Sequence, residues 1–172
     1  MYARQFKKRW DRGQKVEDEF YKLVQFHDPN ARRATQQEQF EHIDFVTSFG
    51  TIDVKGRKRG PAQIDEAETI VWLEYKNVVG NDGWLVSVVD ILAFERDDDF
   101  ILVGRKDLLR LANKLCNLEE RVENSWDALY KGYTRRGRHD LVTKVKMRDI
   151  MELEHEIWNK GLVCEASCSS TT

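Results

Sequence analysis

His42-Ile43-Asp44-Phe45-Val46 and Thr51-Ile52-Asp53-Val54-Lys55-Gly56, on either side of Ser48-Phe49-Gly50, predict a β-hairpin: a strand over 40–47, a tight turn, and a strand over 51–56. Side chains alternate faces along a strand, so His42, Asp44 and Val46 share one side, as do Thr51, Asp53 and Lys55, with Ile43, Phe45, Ile52 and Val54 opposite. A register that sets Asp44 against Asp53 brings two carboxylates and one amine together over an apolar backing. Like charges held that close are unfavourable unless a cation neutralises them. Mg²⁺ takes hard oxygen ligands and keeps several waters. Asp44, Asp53 and the backbone carbonyl of Val54 make a donor set of that kind, with Lys55 in reach of an attacking water.

Outward from the hairpin, Val16, Phe20, Leu23 and Val24 recur at helical spacing and predict a first helix over 16–27, closed by Asp28-Pro29-Asn30. Glu17 and Glu19 flank its apolar face, and Glu19 is the expected additional or second-metal ligand. Downstream, Ile70–Lys76 reads as a third strand that stops at Asn77 and Gly80–Gly83. Segments 90–95 and 100–103 read as a second hairpin around Asp97-Asp98-Asp99. Leu108, Leu111, Ala112 and Leu115 mark a helix expected to continue into a segment carrying Val122, Trp126 and Leu129. An edge strand over 140–146 and a terminal helix over 148–158 complete the expectation. Strands arriving as hairpins rather than as alternating βα units predict an α+β fold, a mixed sheet flanked by helices.

A glutamate on a first helix, Ile43-Asp44-Phe45, a short hairpin and Ile52-Asp53-Val54-Lys55-Gly56 together resemble the PD-(D/E)xK nuclease superfamily, with spacing similar to that of phage and archaeal Holliday-junction resolvases. Ile43 stands where the motif name has proline. The resemblance covers about residues 15–115 in element order and is sequence-specific only in the hairpin. It implies a restriction-endonuclease-like αβββαβ core, Mg²⁺ or Mn²⁺ dependence and hydrolysis of DNA phosphodiesters. Asp44 and Asp53 would be the metal ligands and Lys55 the catalytic lysine. A second (D/E)xK tripeptide, Glu74-Tyr75-Lys76, offers an alternative register with Asp53 as first acid. The first version is preferred because its acids flank one short hairpin after a helix carrying Glu19. In that version Glu74, on the neighbouring strand, lines the site.

Two other readings compete: an ordinary half-exposed sheet in which Asp44 and Asp53 form salt bridges with Lys55 and Lys76, and a nuclease-like scaffold serving as a non-catalytic DNA-binding or protein-interaction module. Basic residues at Arg57-Lys58-Arg59, at the mouth of the site, and at Lys76 and Arg135-Arg136-Gly137-Arg138 are the expected contacts to nucleic-acid phosphates. His42 beside Asp44 is more simply a packing or hydrogen-bonding residue than a ligand. Trp84, Trp126 and Tyr133 are candidates for base stacking, with core packing as the default.

The chain has 172 residues, 41% hydrophobic and 34% charged, with only 2 prolines and a net charge of −2, which describes one water-soluble globular domain rather than a disordered or strongly basic one. The expected division is a core at about 15–115, an extension at about 117–160 and a tail from about 162. The longest apolar run, 88–94, is broken by Asp90, far short of a membrane span. The basic start lacks the apolar segment of a secretory signal, and 3 cysteines (Cys116, Cys164 and Cys168) argue for reduced thiols in a cytoplasmic protein, host-cell cytoplasm if the source is a phage. With no separate specificity module, the expected activity is structure-selective or weakly specific cutting in DNA recombination or repair. A homodimer is expected for cutting both strands.

Overall fold

The structure, a computed structural model, describes residues 2–57 and 70–162, and side chains from residue 12 onward. Its fold is α+β, and the described chain divides into two compact units. One gathers the residues up to 57, 90–102 and from 155; the other gathers 70–89 and 103–154.

The first unit is a mixed sheet with a helix on it. Helix α1 (Tyr2–His27) is followed by strand β1 (Arg32–Arg33), the short helix α2 (Gln36–Phe40) and strands β2 (Phe45–Thr47) and β3 (Gly50–Lys55). The sheet is completed by β5 (Ile91–Glu95), β6 (Asp99–Gly104) and β10 (His155–Asn159), in the order β1-β2-β3-β5-β6-β10. β2 runs antiparallel to β1 and β3, and β3 runs parallel to β5. The apolar stripe predicted on α1 is the one buried: Val16, Phe20, Leu23 and Val24 pack with Phe45, Ile52, Val54, Phe100 and Trp158. Phe20 is at the centre, its ring 5.6 Å from Phe45, 4.9 Å from Phe100 and stacked on Trp158 at 5.4 Å. Beyond the helix the Asp28 carboxylate accepts from the amides of Asn30 (3.0 Å) and Ser48 (2.6 Å), which ties the helix end to the β2–β3 turn.

The second unit is built on a four-stranded sheet of β4 (Ile70–Lys76), β9 (Leu141–Lys146), β8 (Lys131–Tyr133) and β7 (Asn117–Val122), in that order. β9 is antiparallel to β4 and β8, while β7 is parallel to β8. Helix α3 (Arg105–Leu115) buries Leu108 and Ala112, and the single-turn helix α4 (Met147–Ile150) buries Met147 and Ile150. The Tyr75 hydroxyl donates to Asn113 Oδ1 at 2.8 Å and fastens β4 to α3. The Arg105 guanidinium, inside this unit, donates to the carbonyls of Val89 (2.8 Å) and Leu85 (3.2 Å).

Four expectations are corrected. The segment expected as a strand over 40–47 begins as helix: Thr35 caps α2 by accepting from the Glu38 amide, and the Glu38 carboxylate accepts from the Thr35 amide at 2.7 Å, a capping box that leaves only Phe45–Thr47 extended. The helix expected to run on from Leu115 stops at Cys116, where the Asn117 amide donates to the Tyr130 carbonyl and pairing with β8 overrides the helical spacing of Val122, Trp126 and Leu129. The strand over 140–146 is interior, between β4 and β8, not an edge. The terminal helix over 148–158 is one turn of α4 followed by β10, because Trp158 is drawn into the core between Phe20 and His27, the latter stacked on it at 4.1 Å.

Candidate metal and phosphodiester site

The β2–β3 hairpin has the register that the acids require. Phe45 pairs with Ile52 and Val46 with Thr51, so the same register carried back one residue sets Asp44 opposite Asp53. Thr47 and Gly50 close a two-residue turn, where Gly50 adopts φ +139° and a Cβ would meet the Asp90 side chain at 3.2 Å.

Asp44 is positioned from three sides. The chain turns out of α2 through His42 at φ +65°, with the His42 amide donating to the Gln39 carbonyl (3.1 Å) and the Ile43 amide to Glu38 (3.1 Å), the double bond pattern of a helix ending in a left-handed residue. His42 is thus the pivot of a helix terminus and not a strand residue facing the site with Asp44. The Asp44 amide then donates to the Ile52 carbonyl at 2.9 Å, and Asp44 Oδ2 accepts from the Val54 amide at 2.7 Å. A side chain has taken the ladder position that β2 leaves open. Because a strand residue directs its N–H and C=O to the same edge, the Val54 carbonyl lies on the Asp44 side of β3.

Asp53 is 2% exposed, and Lys55 Nζ lies 2.7 Å from its Oδ2. The contact falls short of hydrogen-bond geometry, so the buried Oδ2 is left without a donor, and it becomes an ion pair only when Asp53 gives up its proton. Burial pushes the Asp53 carboxyl up to about 8; the charge of Asp44 and a hydrogen bond with it add to the rise, and the Lys55 ammonium opposes it.

The helix carboxylate coupled to this pair is Glu17. Its value is raised to about 7 by burial and then by the charge of Asp44, against Arg33 and Lys55. Glu19, the ligand expected from the sequence, is instead 3.4 Å from Lys160 Nζ, which also lies 3.2 Å from Glu95 Oε1. At 100° per residue the two glutamates stand on opposite flanks of the Val16–Phe20 stripe, so one helix face cannot offer both to the same hairpin.

A divalent cation fits the donors that are present. Among the described residues no three His, Cys, Asp or Glu side chains converge as a ready cage. What converges is the Asp44–Asp53 pair with one buried oxygen lacking a hydrogen-bond donor, beside a strand carbonyl. Mg²⁺ is commonly held by one or two carboxylates plus water and substrate phosphate, which matches that set.

The remaining predicted residues fall elsewhere. Glu74 and Lys76 lie on β4 in the second unit, where β4 pairs with β9; β3 has β2 and β5 as its neighbours, so Glu74 is not on a neighbouring strand and the Asp53/Glu74-x-Lys76 register has no sheet to carry it. Arg57 pairs with Asp97, and its amide donates to Glu95 at 2.8 Å. Lys58 and Arg59 lie outside the described residues, as do Cys164 and Cys168. In the second unit Arg135 pairs with the buried Asp140, whereas Arg136 and Arg138 are exposed around Gly137. Cys116 caps α3 and is half-buried, with burial raising its thiol.

Comparison with protein-family models, with curated proteins and with solved structures finds no match for this chain.

Proposed function

We propose that this chain is a Mg²⁺- or Mn²⁺-dependent nuclease of the restriction-endonuclease-like kind that hydrolyses DNA phosphodiesters, acting endonucleolytically with structure selectivity or weak sequence specificity. The observation that carries the reading is the Asp44–Asp53 pair in hairpin register, with Lys55 Nζ 2.7 Å from Asp53. The element order supports it as well: a helix precedes a β-hairpin with one acid just before its first strand and the other on its second, as in the αβββαβ core. The departure is β4, which belongs to a different sheet.

When bound, the cation neutralises phosphate charge and makes water a stronger nucleophile near neutral pH. The protein's own groups do the rest. Asp44 is oriented by the Val54 amide, so its second oxygen is directed without rotamer freedom. Asp53, buried and lacking a hydrogen-bond donor on Oδ2, gains most from a positive partner. Lys55, one quarter exposed, holds an ammonium between the buried carboxylate and solvent, where it orients an attacking water and offsets charge that grows on the phosphate. Glu17, raised into the neutral range by burial and by the charge of Asp44, is a nearby carboxyl able to take a proton.

Cleavage of supercoiled, linear, single-stranded and four-way-junction DNA with Mg²⁺ or Mn²⁺ tests the proposal. Cutting that requires metal is expected, reduced at least ~100-fold in Lys55→Ala and lost in Asp53→Ala. A folded, metal-supplied protein that cuts none of these substrates overturns it and leaves the scaffold as a binding module; sedimentation with and without DNA reports on the homodimer.

A further inference from the structure

The second unit gathers aromatic rings and an ammonium group on one sheet face. Trp72 pairs with Lys144 and Glu74 with Val142 across β4 and β9, and Tyr133 pairs with Val142 across β8 and β9, so Trp72, Lys144 and Tyr133 share a face. Val71, Leu73, Tyr75 and Val145 are buried on the other side, while Val142, also buried, lies on this face between Glu74 and Tyr133. Lys144 Nζ lies 4.8 Å from the centre of the Trp72 ring and 5.9 Å from that of Trp126, and Tyr133 is 6.0 Å from Trp72. Trp126 is 80% exposed, the most exposed of the large apolar side chains described. A bare tryptophan beside an ammonium group, continuous with two further rings, is not core packing.

From this juxtaposition of Trp72, Tyr133, Trp126 and Lys144 we infer that the face binds single-stranded nucleic acid, with bases stacked on the rings and phosphates against Lys144. The rings together with Lys144 select the occupant. Charge elsewhere on the face is balanced: Lys131 pairs with Glu120, Arg135 pairs with Asp140 and lies 4.0 Å from Glu74, and Asp127 stands near Lys144. The ammonium set against the rings is that of Lys144. An unpaired strand matches both features, since its bases have free π-faces and its backbone is anionic, whereas a duplex keeps its bases stacked on one another. The inference stands on the second unit alone, so its success or failure is separable from that of the metal site.

The test uses the full chain in excess EDTA, so that no cleavage intervenes, titrated against a fluorescein-labelled oligo(dT) 15-mer with anisotropy and tryptophan emission as readouts. The expected result is saturable binding with quenched emission, weakened about tenfold in Trp126→Ala and largely kept in Trp126→Phe. In Lys144→Ala, binding should weaken and the slope of log affinity against log salt should fall by about one. Circular dichroism checks that the variants fold, and Trp126 is exposed enough that they should. Wild-type affinity in both alanine variants overturns the inference, as does tighter binding of a duplex of equal length. So does the absence of binding together with self-association in sedimentation, which would make the face a contact between copies.

Discussion

Replacing Asp53 by asparagine keeps the side chain's shape and its ability to donate to Asp44 but removes the titration. In the fold this carboxyl holds its proton up to about 8, chiefly because it is buried, while in the unfolded chain it loses that proton near the ordinary 3.8. A group raised in this direction contributes its full stability below the unfolded value and loses it progressively as pH climbs towards the folded one. Over the window between, the loss is about 1.4 kcal/mol per pH unit. From about pH 6 to about pH 7.5 that amounts to about 2 kcal/mol, or a fall of roughly 4–8 °C in Tm for a chain of this size. Thermal melts in EDTA of the wild type and Asp53→Asn, side by side, isolate the effect of this acidic pair, because histidines and the acids outside the site titrate alike in both. The gap between the two should shift by that amount in favour of the variant as pH rises. Adding Mn²⁺ at the higher pH should recover the wild type and leave the variant unmoved. Parallel curves across the window would mean that Asp53 is already ionised in the fold without a cation, and the case for a strained acidic pair would be lost.

Two substitutions test neighbouring parts of the argument. His42→Gly should leave cleavage intact and stabilise the protein by up to about 1 kcal/mol in urea unfolding, since glycine suits φ +65° and the imidazole serves a helix end and not the chemistry; a loss of activity with a normal fold would put the imidazole back in the site. Gly83→Ala should destabilise by about 2 kcal/mol or more, because the new Cβ would lie 2.4 Å from the Glu74 carbonyl oxygen, a backbone atom that cannot swing aside; an unchanged midpoint would show that β4 yields there.

The hairpin and the first helix were legible because their signals are local. Val16, Phe20, Leu23 and Val24 repeat with the helical period, and the Ser48-Phe49 turn sets the Asp44–Asp53 register through strand geometry alone. Thr35-Gln36-Gln37-Glu38 was equally local, a capping-box signature that announces α2, but the β-branched and aromatic residues after it drew the strand too far forward. Glu17 could not be chosen over Glu19 from periodicity, because both border the apolar stripe, and which border meets the hairpin depends on how α1 crosses the sheet. Trp158 was illegible for a different reason: Arg148–Trp158 has acceptable helical spacing, and only a partner more than a hundred residues earlier, Phe20, makes it a strand. The separate sheet of β4 has the same origin, since Ile70–Lys76 reads as a strand wherever it pairs and its partner β9 comes 65 residues after it ends, at Leu141.

β10 gives this chain an order of events during synthesis. The first unit is assembled from three stretches of sequence, and its last strand, bearing Trp158, leaves the ribosome only after every residue of the second unit has been translated. Until then β6 is a bare sheet edge and Phe20 lacks one of its stacking partners. The nascent acidic hairpin therefore exists before the sheet that supports it is closed, and a ribosome that stops between Leu153 and His155 releases Asp44, Asp53 and Lys55 on an unfinished scaffold. Arrival of the strand at 155–159 covers the β6 edge and brings Trp158 onto Phe20, completing the core under α1.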